Sequence, residues 1–99
     1  MRMLLKVTIP VEAGNRAIKD GTLQSTMATM LERLKPEAAY FFAENGKRNG
    51  FIFFDMKDPS DIPSIAEPFF LALDAEITFT PVMDVADMQA GIQKAMANA

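Results

Sequence analysis

Residues 38–56 read Ala38-Ala39-Tyr40-Phe41-Phe42-Ala43-Glu44-Asn45-Gly46-Lys47-Arg48-Asn49-Gly50-Phe51-Ile52-Phe53-Phe54-Asp55-Met56, two strand-like runs around an Asn-Gly pair. A two-residue type I′ turn needs positive φ at both positions, and Asn-Gly is the pair that adopts it most readily. Such a turn sets Glu44 opposite Lys47 and Tyr40 opposite Phe51, so Tyr40, Phe42, Glu44, Phe51, Phe53 and Asp55 share a face. A four-residue loop over 46–49 keeps that assignment, whereas an odd-numbered loop exchanges the faces. Ala39 and Ala43, with Phe41, Ile52 and Phe54, form the opposite face, where small side chains let a helix approach. Both faces are apolar, and a helix layer buries only one side of a four-stranded antiparallel sheet. The aromatic face therefore looks outward and calls for a partner chain or a ligand.

Before the hairpin, Met3, Leu5, Val7 and Ile9 alternate with Leu4, Lys6 and Thr8, the pattern of a half-buried strand that Pro10 ends. From about Glu12 to Leu34 the period changes to that of a helix, with Leu23, Met27, Met30, Leu31 and Leu34 on one stripe. Gly14 and Gly21 weaken its first half. A glycine inside a helix costs about 1 kcal/mol against alanine, so either something packs close at Gly21 or the helix is irregular around Asp20, Gly21 and Thr22. After the hairpin, residues 57–61 form a turn cluster rich in helix N-cap candidates, and a second helix follows to about Leu73. Pro63 is tolerable in its first turn; Pro68 removes an interior hydrogen bond and predicts a kink or break. The last strand, Glu76 to Val82, sets Ile77 and Phe79 against Thr78 and Thr80. Asp84 then caps a C-terminal helix with Val85, Met88, Ile92 and Met96 on one stripe.

Strand, helix, strand, strand, helix, strand is the order of an α+β ferredoxin-like βαββαβ sandwich, a four-stranded antiparallel sheet in spatial order 4-1-3-2. In pattern, over essentially all 99 residues, the chain resembles the dimeric α+β barrel proteins, a superfamily that holds muconolactone isomerases and antibiotic-biosynthesis monooxygenases. The stretch from Gly46 through Pro63 is also similar to small bacterial proteins of that superfamily with no assigned function. The resemblance implies a homodimer in which two sheets face each other, and a cavity between sheet and helices that holds a small ligand. Some members oxidise aromatic substrates without a cofactor, so the resemblance leaves an enzyme open.

Composition bounds the rest. Ninety-nine residues, 49% apolar and 23% charged, make one folded domain spanning 1–99. No apolar run approaches the roughly 18 residues that span a bilayer, and residues 1–9 lack a signal peptide's cleavage site, so a cytoplasmic location is the default expectation. A net charge of −3 argues against nucleic acid as a partner, because phosphate contacts need clustered Lys and Arg. Lys47 and Arg48 are the one tight basic pair, and the plainer reading of them is solvated turn charge. The octet Lys47 to Phe54 partly resembles the third-strand motif of RNA-recognition modules. Asn49 stands where a stacking aromatic is wanted, however, Arg48 where glycine is, and the first strand has no companion aromatic.

Chemistry-bearing residues are few. The chain has no histidine and no cysteine, which removes the commonest general base near neutral pH and the commonest soft metal ligands. It carries no glycine-rich phosphate loop, zinc spacing or nucleophile elbow, so no cofactor and no metal are expected. The series Asp55, Asp58 and Asp61 lacks the alternate-residue spacing and terminal Glu of a calcium loop, and helix capping by Asp58, Ser60 or Asp61 is the better reading. Tyr40 with Asp55 forms a candidate proton donor and acceptor, and Lys6 a candidate partner for Asp55 or for an anionic substrate; a structural ion pair is the plainer alternative. Thr8, Phe42, Phe53, Thr78 and Thr80 complete the candidate ligand-binding set on the outward face. Met27, Met30, Met88 and Met96 fall on helical stripes and read as core fillers. The expectation is a homodimer binding, or converting without a cofactor, a small aromatic or hydrophobic metabolite. The alternative is a non-catalytic ligand-sensing or protein-interaction dimer.

Overall fold

The computed structural model describes residues 1–98. Its elements are β1 (Arg2–Ile9), α1 (Val11–Asp20), α2 (Thr22–Leu34), β2 (Ala38–Glu44), β3 (Lys47–Asp55), α3 (Asp61–Leu73), β4 (Glu76–Pro81) and α4 (Val85–Ala97). The strands form one antiparallel sheet in order β2-β3-β1-β4, which is the ferredoxin-like order 4-1-3-2 read from the other edge.

Hairpin chemistry fixes the register. Asn45 and Gly46 both take positive φ, 54° and 72°, and Glu44 pairs with Lys47 and Tyr40 with Phe51. The pleat then sends Met3, Leu5, Val7, Ile9, Ile52 and Phe54 to the helical side, where all are buried. Helices α1, α2 and α3 close over them with Ala17, Met30, Ile65, Phe69 and Leu73. Every residue of this core is apolar, and no described buried side-chain nitrogen or oxygen lacks a hydrogen-bond partner.

The first helical stretch divides at Gly21, whose φ of 83° breaks it into α1 and α2. Nothing lies within 4 Å of the place a Cβ would occupy there, so backbone conformation and not close packing is what glycine supplies. The Asp20 carboxylate accepts from the Thr22 N–H at 2.8 Å and steadies the corner.

Of the kink or break expected at Pro68, the break does not occur: α3 runs from Asp61 to Leu73 with Pro68 inside it. Proline removes the donor that would serve the Ser64 carbonyl four residues earlier. Arg33 of α2 donates to that carbonyl instead, Nη1 to O at 3.3 Å.

The apolar stripe of α4 does not join the core. Asp84 caps the helix through a reciprocal capping box with Asp87, as its sequence predicts. None of its described residues is buried, however: Val85 and Met96 are 66% and 70% exposed, and Met88 and Ile92 lie open beside them. Met88 and Met96 are thus not core fillers, whereas Met30 is buried and Met27 packs against the core. The helix projects from the sandwich, and the molecule measures 55 × 28 × 19 Å. Arg2 ties down its base, through Asp84 at 3.4 Å and Asp87 at 3.7 Å. Among the described residues no helix is long and apolar enough to cross a membrane.

Candidate functional site

The outward face of the sheet is a grid of cross-strand rows. One row runs Tyr40, Phe51, Lys6, Thr78; its neighbours are Phe42, Asn49, Thr8, Glu76 and Ala38, Phe53, Leu4, Thr80. Phe42 and Phe51 meet edge to face with centroids 4.8 Å apart, and the Lys6 ammonium sits 5.4 Å from the centre of the Phe51 ring. Thr8 donates its hydroxyl proton to Asn49 Oδ1 at 2.7 Å. Tyr40 is 63% exposed, while Phe42, Phe51, Phe53 and Leu4 are half-buried.

Asp55 lies apart from this group. It pairs with Arg2 across the strands, four positions along β3 from Phe51, which is about 13 Å at the usual strand rise. Its carboxylate is held by Lys57 and by the Met1 ammonium, the latter at 2.6 Å. The Lys57 hydrogen bond, with that from the N-terminus, lowers its pKa to about 2. The structure therefore does not bring Asp55 to Tyr40, and Lys6 is not its ion-pair partner. A carboxylate so stabilised is a weak base at neutral pH. Asp58 serves the turn before α3, accepting from the Ser60 N–H at 2.9 Å, while Ser60 makes no side-chain cap bond.

On the other side of the sheet, the far end of β2 overhangs α2. Phe41, which the hairpin phase points toward the helices, is consequently 53% exposed, and Ala43 is exposed as well. Beneath the overhang is a cavity of about 550 Å³ walled by Val7, Ile9, Leu23, Met27, Phe41 and Gly50. Gly50 permits this wall, because a Cβ there would stand 3.0 Å from the Phe41 ring. Gln24, Arg48 and Asn49 are the polar residues around it. A second cleft, of about 420 Å³, lies where β3 runs into α3; Leu34, Phe54, Met56 and Ile65 line it together with five charged residues, Arg33, Lys35, Asp55, Lys57 and Asp61. Its charged lining suits water and ions; the first cavity suits an apolar molecule.

Arg48 is the residue that sequence reasoning misplaces. It shares the pleat phase of the buried Gly50 and Ile52, so it folds back over the helical side instead of into solvent at the turn. Its guanidinium crosses α1 at Gly14, where a Cβ would come within 2.5 Å of Nη1, and Nη2 donates to Asn15 Oδ1 at 3.0 Å. The available signal is the even spacing from Arg48 to Gly50 and Ile52, together with an otherwise unexplained glycine in the first turns of α1. Among the described residues, no group of three or more Asp or Glu side chains is arranged to hold a metal.

A family model described as a domain of unknown function, DUF3303, matches residues 1–96. No curated protein matches the chain.

Proposed function

The chain belongs to the DUF3303 family, whose description assigns no function, and we propose from the geometry that the protein is a small-molecule-binding homodimer, closed through the outward face of its sheet in the manner of a dimeric α+β barrel. The observation that carries this reading is the cavity under β2. Its size lies within the 300–1,000 Å³ usual for ligand sites, its walls are apolar, and a few polar groups stand at its edge. The aromatic rows on the opposite face support the dimer, since Tyr40, Phe42, Phe51 and Phe53 form a contiguous apolar surface that a second copy would cover. Binding is favoured over turnover because the polar groups at the cavity are the two amides of Gln24 and Asn49 and the Arg48 guanidinium, whereas Tyr40, Lys6 and Asp55 stand elsewhere.

The test is native mass spectrometry of freshly purified protein, followed by titration with the neutral fluorophore 1-aminoanthracene. A dimer that binds the fluorophore, and loses it on Met27→Glu while remaining dimeric, is the expected result. A monomer, or binding indifferent to Met27→Glu, overturns the corresponding half of the proposal.

A second reading rests on the row Tyr40, Phe51, Lys6. A hydroxyl and an ammonium flanking an aromatic ring would be enclosed between two facing sheets, which suits a cofactor-independent oxygenase or isomerase acting on a small aromatic or hydrophobic metabolite. Tyr40→Phe separates the two readings: it would abolish turnover in the second and leave cavity binding unchanged in the first.

A further inference from the structure

Arg48 is a half-buried guanidinium with donors to spare. It makes one side-chain hydrogen bond, to the neutral Asn15 amide, and no carboxylate of the described residues lies within ion-pair distance of it. Arg2 and Arg16, by contrast, each face an acidic partner. The side chain is held in place from three sides: by Asn15, by the bare backbone at Gly14, and by the strand phase that turns it inward at Gly50 and Ile52. It borders a cavity whose other walls are hydrocarbon and aromatic except for the neutral amides of Gln24 and Asn49. A positioned guanidinium beside an apolar chamber is half of an ion pair whose other half has an apolar body.

We propose that the cavity takes a monocarboxylic acid with an alkyl or aromatic body, its carboxylate on Arg48 and its body against Leu23, Met27 and Phe41. This rests on the cavity reading given above and adds the ligand's charge and polarity. One negative charge is specified because Arg48 is the one cationic residue at this cavity; a phosphate dianion or a dicarboxylate would leave charge uncompensated against apolar walls. Carboxylate geometry is specified because the planar fork of guanidinium donors matches two coplanar oxygens.

The experiment titrates the full chain with two pairs of probes that differ only in the charged end, 4-phenylbutyrate against 4-phenylbutan-1-ol and octanoate against octan-1-ol, by calorimetry at neutral pH. The acid of each pair is expected to bind about tenfold or more tightly than the alcohol, the usual size of a charge-assisted hydrogen-bonded contact. Arg48→Met keeps a long apolar side chain and should bring the acid down to the alcohol's affinity without changing the alcohol. Arg48→Lys, which keeps charge without the fork, should retain only part of the preference. Equal binding of acid and alcohol by the unaltered protein overturns the carboxylate assignment while the cavity reading stands, and that comparison needs no variant to fold. Acid preference that survives Arg48→Met in a folded protein also overturns it. Failure of all four probes to bind overturns both.

Discussion

Arg33 on α2 donates to the main-chain carbonyl of Ser64 on α3, the acceptor that Pro68 leaves without its intrahelical donor. A side chain from one helix thereby mends the backbone of the next, and α3 stays continuous through a residue that ordinarily interrupts a helix. The two residues form a thermodynamic pair across the α2–α3 packing. In a double-mutant cycle, Arg33→Met should cost about 1 kcal/mol in the wild-type background and close to nothing once Pro68→Ala has restored the donor. Urea unfolding of the four proteins measures this, and equal costs in both backgrounds would remove the coupling.

Gly14→Ala sets helix propensity against the Arg48 guanidinium. The substitution gains up to about 1 kcal/mol in α1, but the new Cβ would fall 2.5 Å from Nη1 and displace a flexible side-chain end. The expected outcome is a protein of near-unchanged melting temperature that has lost its preference for the carboxylate probe. A preference fully retained would mean that the guanidinium needs no such seat.

Tyr40→Arg tests the sheet-to-sheet dimer. The side chain is largely exposed in a single copy and Lys6 shares its row, so the folded monomer should change by no more than about 0.5 kcal/mol. Cationic rows pressed together should raise the dimer dissociation constant at least tenfold by sedimentation equilibrium. An unaltered dimer would place the interface elsewhere.

Removal of residues 84–99 should leave the unfolding midpoint of the sandwich nearly unchanged, because α4 contributes no buried residue and its ion pairs to Arg2 are exposed. By the same reasoning α4 amides should exchange with solvent much faster than those of α2 in dilute protein, a 13-residue helix being marginal alone. A truncated chain that melts far earlier would show that the helix packs on something essential.

Asp55 provides the pH test. Its carboxyl titrates near 2 against an ordinary 3.8, held down by Lys57 and the N-terminus. A depressed carboxylate contributes stability that is present above the unfolded value and is lost as pH falls through the folded one, here between about pH 4 and 2. Carbon-detected NMR should find the low midpoint, and Lys57→Met should move it up toward the ordinary value. A midpoint already ordinary in the unaltered protein would dissolve the cluster.

The sheet was readable from sequence because its determinants are local or periodic. Asn45-Gly46 accepts one turn, the turn sets one register, and alternation carries that register into β1 and β4. The candidate site was less readable, since its geometry depends on where helices stop covering strands. Nothing in the spelling of Phe41 and Ala43 says that α2 ends its cover before reaching them. Nor does the Lys47-Arg48 pair announce that its second member bends inward, unless Gly14 on a distant helix is considered with it. Pro68 misleads for the same reason, because its remedy is Arg33, thirty-five positions earlier in the chain. Tyr40 and Asp55 share a face as expected, but a common face does not bring them within reach when four residues of strand intervene.

The outstretched α4 gives the particle a hydrodynamic signature. A radius of gyration of 16.0 Å, against about 13 Å for a rounded chain of this length, makes a lone copy drift through a sieving column like something heavier. Elution volume would therefore counterfeit a dimer, and only methods that weigh the particle distinguish one long copy from two.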